Sequence, residues 1–534
     1  MFSRIFKVFS RREKLFFLGF GAIFLGASVL LLVLNFEQNA SRVPVSGGKY
    51  REGAVGQPVY VNPIIANENS VDRDLIALLY ADFSDLSKSR EAEADGRSYI
   101  VSLRDDIFWS DGERITSDDV IFTVKLMQDA SVYSPLLRSW QGVVVERLSE
   151  LQIRFILPAS YAFFENNLNR LIVAPWHIFG FIPPANLRLS SYNLEPVGSG
   201  PYKFSGYDKR RDGFITDYRL EINENYFGEK PFIRDFIFKF FQDDNNLIEA
   251  FNSRQIDGFG GLDPEKLNNL SLNKKVFEMT MPRYYAVFFN QSVSETLKEK
   301  EARLALIEAV DKKRIISEVF GGSAIGADGP FLPGFEGYDA GAEFIIDYAP
   351  EKARERLVAL SDKKLNLEFR LVIPQVPFLV KTANLLKRDW EEAGFKINLF
   401  ILNPADIAGD VITTRNYEML LFGSSVSNNP DVFSFWHSSE RFYPGLNFSL
   451  YNNSRADELL EKIRQTSDKV KRGGYLKDVQ KLITSEAPAL FLYSPKYLYV
   501  TIPTLDGVRT EEFIAAGDRF KNVEKWFEKT AKVL

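Results

Sequence analysis

Leu367 to Phe400 reads LEFRLVIPQVPFLVKTANLLKRDWEEAGFKINLF: an apolar run, a helical stripe and a second apolar run in succession. Phe369 to Ile373 reads as a strand, and Phe395 to Phe400 as another. Between them, from about Phe378 to Ala393, the residues Leu379, Ala383, Leu386, Trp390 and Ala393 recur at spacings of three or four. That spacing lays one apolar stripe along a helix, and Gly394 can end it in a left-handed turn. A strand, a helix and a second strand of these lengths make a βαβ unit, so the chain is expected to be an α/β protein with ligands meeting the loops beyond the carboxyl ends of its strands.

The same alternation extends in both directions. Glu301 to Val310 predicts an amphipathic helix with Ala302, Ala305, Leu306 and Ala309 on its core side. Tyr417 to Phe422 predicts a strand that runs into the polar loop Gly423-Ser424-Ser425-Val426-Ser427-Asn428-Asn429-Pro430-Asp431. Upstream, Tyr99 to Leu103 alternates as a strand, and Thr116 can cap a helix reaching about Asp129, with Asp119 in the place of the usual Glu of a capping box. Capping is therefore the role expected of Asp118 and Asp119. Gly198-Ser199-Gly200 lacks the further residues of a dinucleotide or phosphate loop and reads as a turn before a hairpin, Tyr202 to Tyr207 and Thr216 to Ile222.

Composition narrows the chemistry. The 534 residues include no Cys and two His, His177 and His437, far apart in the chain. Thiol nucleophiles, disulfides and Cys-type zinc sites are excluded, and a His-rich metal site is not expected. No metal, no cofactor and no catalytic residue is assigned. With 66 Lys plus Arg against 71 Asp plus Glu, the net charge of −5 does not suggest nucleic-acid binding.

Residues 15 to 34, Leu15 to Leu34, carry no charge. About 20 such residues make roughly 30 Å of helix, the thickness of a bilayer core. Arg4, Lys7, Arg11, Arg12 and Lys14 precede the run against the single acid Glu13, which keeps the N-terminus cytoplasmic and exports the chain beyond Leu34. A cleaved signal peptide is the competing reading; its apolar core is shorter and ends in a small-residue site, for which Asn35 to Ala40 is a poor match. Residues 35 to 57 lack helical or strand periodicity and read as a tether.

Several segments taken together resemble the extracellular solute-binding proteins of ABC importers, in the family that binds oligopeptides, dipeptides and nickel complexes (family 5). They are Trp109-Ser110-Asp111-Gly112 with Thr116 to Val120, Pro196 to Tyr202 with Asn223 to Pro231, Arg303 to Lys312, Tyr348 to Ala353, and Gly445-Leu446-Asn447-Phe448 through Ala487-Pro488. They occur in the family's order over roughly residues 55 to 505. The resemblance implies a two-lobed, periplasmic-binding-protein-like (type II) clamshell with a small inserted domain, here behind one N-terminal transmembrane helix. The division expected is 1–14 cytoplasmic, 15–34 anchor and 35–57 tether. Lobe I is expected at 58–80, 195–280 and 491–534, the inserted domain at 81–194 and lobe II at 281–490.

Three departures accompany the likeness. The lipid-attachment Cys of many members is absent, and the helix would replace it. The stretch between Leu86 and Tyr99 is short, so the inserted domain is expected to be trimmed. Where peptide-binding members commonly show Gly-Trp-x-x-Asp, this chain has Gly423-Ser424-Ser425-Val426-Ser427, with Ser at the Trp and Asp positions. The carboxylate that would meet a peptide's amino terminus is thus missing, and Asp431 either supplies it after a loop shift or caps the following segment.

The ligand-binding set expected is Ser424, Ser425, Ser427, Asn428, Asn429, Asp431, Tyr284, Tyr285 and Trp436. The function implied is a membrane-anchored, monomeric, non-enzymatic receptor outside the membrane that passes an oligopeptide to ABC permease subunits. Two rivals stay open: a tethered peptide sensor or chaperone-like binder without a permease, and a carboxylate-dependent hydrolase.

Overall fold

The structure is a computed structural model and describes residues 10–39, 41–66, 69–93, 95–339, 345–360, 363, 365–426, 430–509 and 513–533. Helix α1 (Arg11–Asn39) stands apart from the rest, with the apolar residues from Leu15 to Leu32 exposed. Among the described residues it is the one helix long and apolar enough to cross a membrane.

The body is organised on one long sheet that runs from Lys396–Leu402 at one edge to Tyr202–Lys209 at the other. Its lobe I half holds β2 (Lys49–Val55), β7 (Tyr202–Lys209), β8 (Ile215–Ile222), β9 (Asp235–Phe241), β10 (Gly258–Gly260) and β11 (Lys275–Thr280). Its lobe II half holds β12 (Arg283–Phe289), β13 (Ala324–Gly326), β14 (Glu368–Pro374), β15 (Lys396–Leu402) and β16 (Met419–Ser425).

Two connections join the halves. β11 passes into β12 through Met281 and Pro282, where the Arg283 amide donates to the Met281 carbonyl at 2.8 Å. β17 (Ala489–Thr501) is shared. Its first part pairs with β12 and β13, and from Lys496 onward it pairs with β11, then also β10. The changeover therefore falls at Pro495 and Lys496, later in the chain than the boundary at 490/491 expected from sequence, because one unbroken strand serves both sheets.

The βαβ unit is present. β14 and β15 pair in parallel, α6 (Pro377–Ala393) crosses between them, and Gly394 comes next at φ 112°. Leu379, Ala383, Leu386 and Trp390 are buried against the sheet. Helix α4 (Lys300–Glu308) buries Ala302, Ala305 and Leu306 as its spacing requires.

A separate four-stranded sheet, β3 (Ser87–Ala92), β4 (Ser98–Leu103), β5 (Val144–Ser149) and β6 (Gln152–Ile156), lies between β2 and β7 in sequence, in the order β3-β4-β6-β5. It has no core of its own: Val101, Ile153 and Phe155 belong to the same buried cluster as Tyr50 and Phe236 of lobe I. Over it lies α3 (Ser117–Gln128), whose Thr116 amide donates to Asp119 at 2.9 Å while the Thr116 hydroxyl accepts from the Asp118 amide. Asp119 also accepts from the Trp176 amide at 2.9 Å, so its carboxylate is spent on structure.

Two expectations are corrected. The stretch 35–57 is not simply a tether. Tyr50, Glu52 and Gly53 are buried in β2, an interior strand flanked by β9 and β10, and β1 (Ser41–Pro44) pairs with β18 (Thr530–Val533) at the other end of the chain. Alternation was hidden because β2 buries both faces at Glu52 and Gly53, and Glu52 is a charged residue held by Arg519 at 2.9 Å. The polar loop expected from Gly423 also begins late: β16 continues through Ser425, because Gly423, Ser424 and Ser425 pair with Tyr285, Tyr284 and Arg283 of β12.

Candidate functional site

The carboxyl ends of the parallel strands β14 and β16 and the start of the antiparallel β12 lie at one end of the lobe II sheet, beside the strands that cross into lobe I. Side chains alternate across a strand, so β12 and β16 present two different surfaces here.

On one surface, Tyr284 opposite Ser424 points into the interior. Tyr284, Ser424 and Trp436 are all at most 1% exposed, and the Tyr284 hydroxyl, Ser424 Oγ and Trp436 Nε1 find no hydrogen-bond partner in standard geometry. They do approach one another. Burial pushes the Tyr284 hydroxyl pKa up, and the neighbouring Ser424 and Trp436 pull it back in part. Three of the expected ligand residues are thus brought together, but as a polar knot inside the core; none of them is open to solvent.

On the other surface stand Arg283, Tyr285, Gly423 and Ser425. Ser425 is exposed, while Arg283, Tyr285 and Gly423 are half-buried. The Tyr285 ring lies over Gly423: a Cβ built on that glycine would come within 2.9 Å of the ring. The ring meets Phe378 edge-on at 5.1 Å and Tyr493 at 5.9 Å, and the Tyr493 hydroxyl is 2.6 Å from Thr382 Oγ1 on α6. An aromatic floor of this kind suits apolar or backbone groups of a ligand that must be held without many specific bonds.

Asp431 is already engaged. Arg464 of α7 (Ser454–Gln465) donates Nε to both of its oxygens at 3.0 Å, the Phe433 amide donates at 3.2 Å, and the Tyr161 hydroxyl donates at 2.8 Å. Capping the next segment is therefore part of its role, but Tyr161 lies just past β6 of the small sheet, so Asp431 also ties the two sides of the molecule together. The tie is reinforced around it. The Ala162 amide donates to the Arg464 carbonyl at 2.6 Å, Phe163 is buried in a lobe II cluster with Tyr284 and Trp436, and Arg472 of α8 (Lys469–Glu486) lies 4.9 Å above its ring. Ser427, Asn428 and Asn429 lie outside the described residues.

Sequence reading passed over Tyr161, Phe163, Arg283 and Arg464. Arg283 alone had a visible signal, a charge directly before the Tyr284-Tyr285 pair. His437 stacks on Phe433 at 4.0 Å and meets Ser439 through Nδ1 at 2.8 Å, and His177 meets Asp111 at 2.8 Å. Among the described residues, no group of three or more His, Cys, Asp or Glu is placed to hold a metal ion.

The model of the bacterial extracellular solute-binding proteins, family 5, matches residues 84–442. The chain belongs to that family. Family 5 proteins are receptors that serve ABC transporters, and the relatives agree. The chain is 26% identical over 522 residues to the oligopeptide-binding protein AppA of Bacillus subtilis, covering 91% of this chain and 92% of that one. It is 22% identical over 434 residues to the dipeptide-binding protein of Escherichia coli, covering 76% and 80%.

Solved structures share the fold. The substrate-binding protein CtaP of Listeria monocytogenes superposes with a TM-score of 0.80 at 24% identity, over 91% of this chain and all of that one. AppA of Bacillus subtilis, solved with a nonapeptide, gives 0.72 at 23%, over 91% and 99%. NikZ of Campylobacter jejuni, solved with Ni(L-His), gives 0.72 at 25%, over 90% and 99%. The two-lobed α/β clamshell expected from the motifs is thus the fold observed.

Proposed function

We propose that this family 5 receptor is held to the membrane by α1, captures an oligopeptide between its lobes and delivers it to an ABC permease. The reading rests chiefly on one observation: the partly exposed aromatic surface of Tyr285 and Phe378 stands beside the two strand crossings that join the lobes. Peptide binding by AppA, a relative that spans nearly all of this chain, supports the ligand class. The mechanism is hinge closure about Met281-Pro282 and Pro495-Lys496, in which a ligand touching both lobes lowers the free energy of the closed form alone. Ser425 and Tyr285 are the surface groups offered to it, with Ser427, Asn428 and Asn429 proposed beside them. Binding and release need no covalent step, and the receptor acts as a monomer.

Native mass spectrometry of the full chain purified in detergent tests the reading. A co-purified peptide, or a rise in melting temperature with a random peptide mixture, is the expected result; if a broad set of peptides neither binds nor shifts melting, the peptide assignment falls.

A further inference from the structure

Arg283 is the first residue of β12, directly after the Met281-Pro282 crossing and opposite the exposed Ser425. It shares its face of the strand with Tyr285, not with the buried Tyr284. Its Nε is fully buried yet donates to nothing. The Nε of Arg154, Arg314 and Arg472 is unpaired as well, but their terminal nitrogens meet Glu93, Asp389 and Glu336, and other half-buried or buried arginines of the body are provided for. Arg464 has Asp431, Arg356 has Glu308, Arg519 has Glu52 and Asp74, and the guanidiniums of Arg303 and Arg415 are held by backbone carbonyls. Among the described residues, no carboxylate pairs with Arg283.

Its surroundings place it at the seam. Burial raises the pKa of both Tyr285, in lobe II, and Tyr497, in the lobe I half of β17, and the positive charge of Arg283 lowers both in opposition. One guanidinium therefore acts on a residue of each half. Tyr285 in turn meets Phe378 in the first turn of α6, a 17-residue helix that begins with Pro377 and has Val376 at its cap, without a side-chain acceptor for the first amides. The positive end of that helix adds to the same field. A buried donor left unpaired is costly, and the planar fork of a guanidinium matches a carboxylate in two parallel bonds.

We propose that Arg283 binds a carboxylate of the captured ligand at the seam between the lobes. The amino-terminal carboxylate partner expected at position 427 is replaced by Ser, so this receptor would hold its ligand by the acidic end and not by the ammonium. The ligand class is then an anionic or zwitterionic peptide with its carboxylate at Tyr285 and Arg283. This deepens the peptide-receptor reading and rests on it for the word peptide, though not for the word carboxylate.

The test uses the full chain in detergent, with calorimetry and thermal unfolding. The probes are random tetrapeptide acids free of Asp and Glu, their C-terminal amides, amides carrying one internal Glu, and a mixture of citrate, succinate and 2-oxoglutarate. Plain acids should bind about 10- to 100-fold more tightly than plain amides, and Arg283→Met should remove that difference. Arg283→Lys, which keeps the charge and loses the fork, should fall between them. If only the Glu-bearing amides gain from Arg283, the carboxylate is a side chain's and the anchor stands. If peptides fail but the small carboxylates bind and lose binding in Arg283→Met, the anchor stands and the peptide reading falls. Should wild type bind acids and amides alike, or no probe depend on Arg283, the proposal is overturned. The acid and amide comparison on wild type holds even if a variant misfolds.

Discussion

The Tyr161 hydroxyl donates to Asp431 Oδ2 at 2.8 Å, joining the segment just past the small sheet to lobe II. Asp431 would remain paired with Arg464 if Tyr161 lost its hydroxyl, since both carboxylate oxygens accept from Arg464 Nε at 3.0 Å. Tyr161→Phe therefore removes one charge-assisted bond between the two sides without leaving a buried charge alone, and if that bond holds the lobes together the variant opens more readily. The expected loss is about 1 kcal/mol, a shift of roughly fivefold toward the open form. Small-angle scattering without ligand should show a larger radius of gyration than wild type, while secondary structure by circular dichroism stays the same. Equal radii would mean that Tyr161 does not act as a clasp.

Arg519 serves two buried carboxylates, Asp74 at 2.5 Å and Glu52 at 2.9 Å, and one positive charge cannot neutralise both. Burial raises the Glu52 pKa from 4.5 to about 7, against the pull of Arg519. Folded protein then binds more protons than unfolded protein between these values. Stability from this group is fully present below pH 4.5 and is lost as the pH rises through 7, by about 3 kcal/mol in all. Glu52→Gln should flatten the fall in denaturant midpoint between about pH 5 and pH 8. Arg519→Met, which leaves two buried carboxylates without a cation, should cost about 3–5 kcal/mol at about pH 8 and less at about pH 5. An unchanged pH profile in Glu52→Gln would assign the proton elsewhere.

Why these groups escaped sequence reading is physical. The βαβ unit at Leu367 to Phe400 was legible because its helix has one wet face and its Gly394 takes a left-handed turn that favours glycine. β2 was not, because its central Glu52 is apolar in neither composition nor pattern and is buried only by virtue of Arg519, far along the chain. The site was legible in place but not in role. Tyr284, Ser424 and Trp436 do meet, yet the strand extends two residues past Gly423, and that decides which of two adjacent serines faces inward. The clasp of Tyr161, Asp431 and Arg464 joins three segments that no local spacing connects.

Gly423 permits the position of Tyr285. A Cβ there would stand 2.9 Å from Cε1 and 3.2 Å from Cζ of the ring. The ring can tilt, so Gly423→Ala should cost about 1 kcal/mol or less in stability. Ligand contacts on the aromatic floor would move with it, and affinity should fall about tenfold in calorimetry. If the melting temperature falls by many degrees with affinity intact, the glycine is a packing residue and the floor is not the binding surface.

Helix α1 exposes its apolar residues from Leu15 to Leu32 to the surroundings. Burying about 20 such residues in a bilayer is worth far more than any single peripheral contact. The chain expressed in its host should therefore stay in the membrane pellet after alkaline extraction and run at its full 61.0 kDa. A cleaved leader would give a smaller, extractable product, which mass spectrometry of the N-terminus would reveal. The choice of truncation matters as well. β1 (Ser41–Pro44) pairs with β18 (Thr530–Val533), so a soluble form that starts before residue 41 keeps that pairing and one that starts at 47 loses it. The shorter form should melt at a lower temperature and exchange the C-terminal amides faster. If both forms melt alike, the β1 pairing contributes nothing and the tether extends to Lys49.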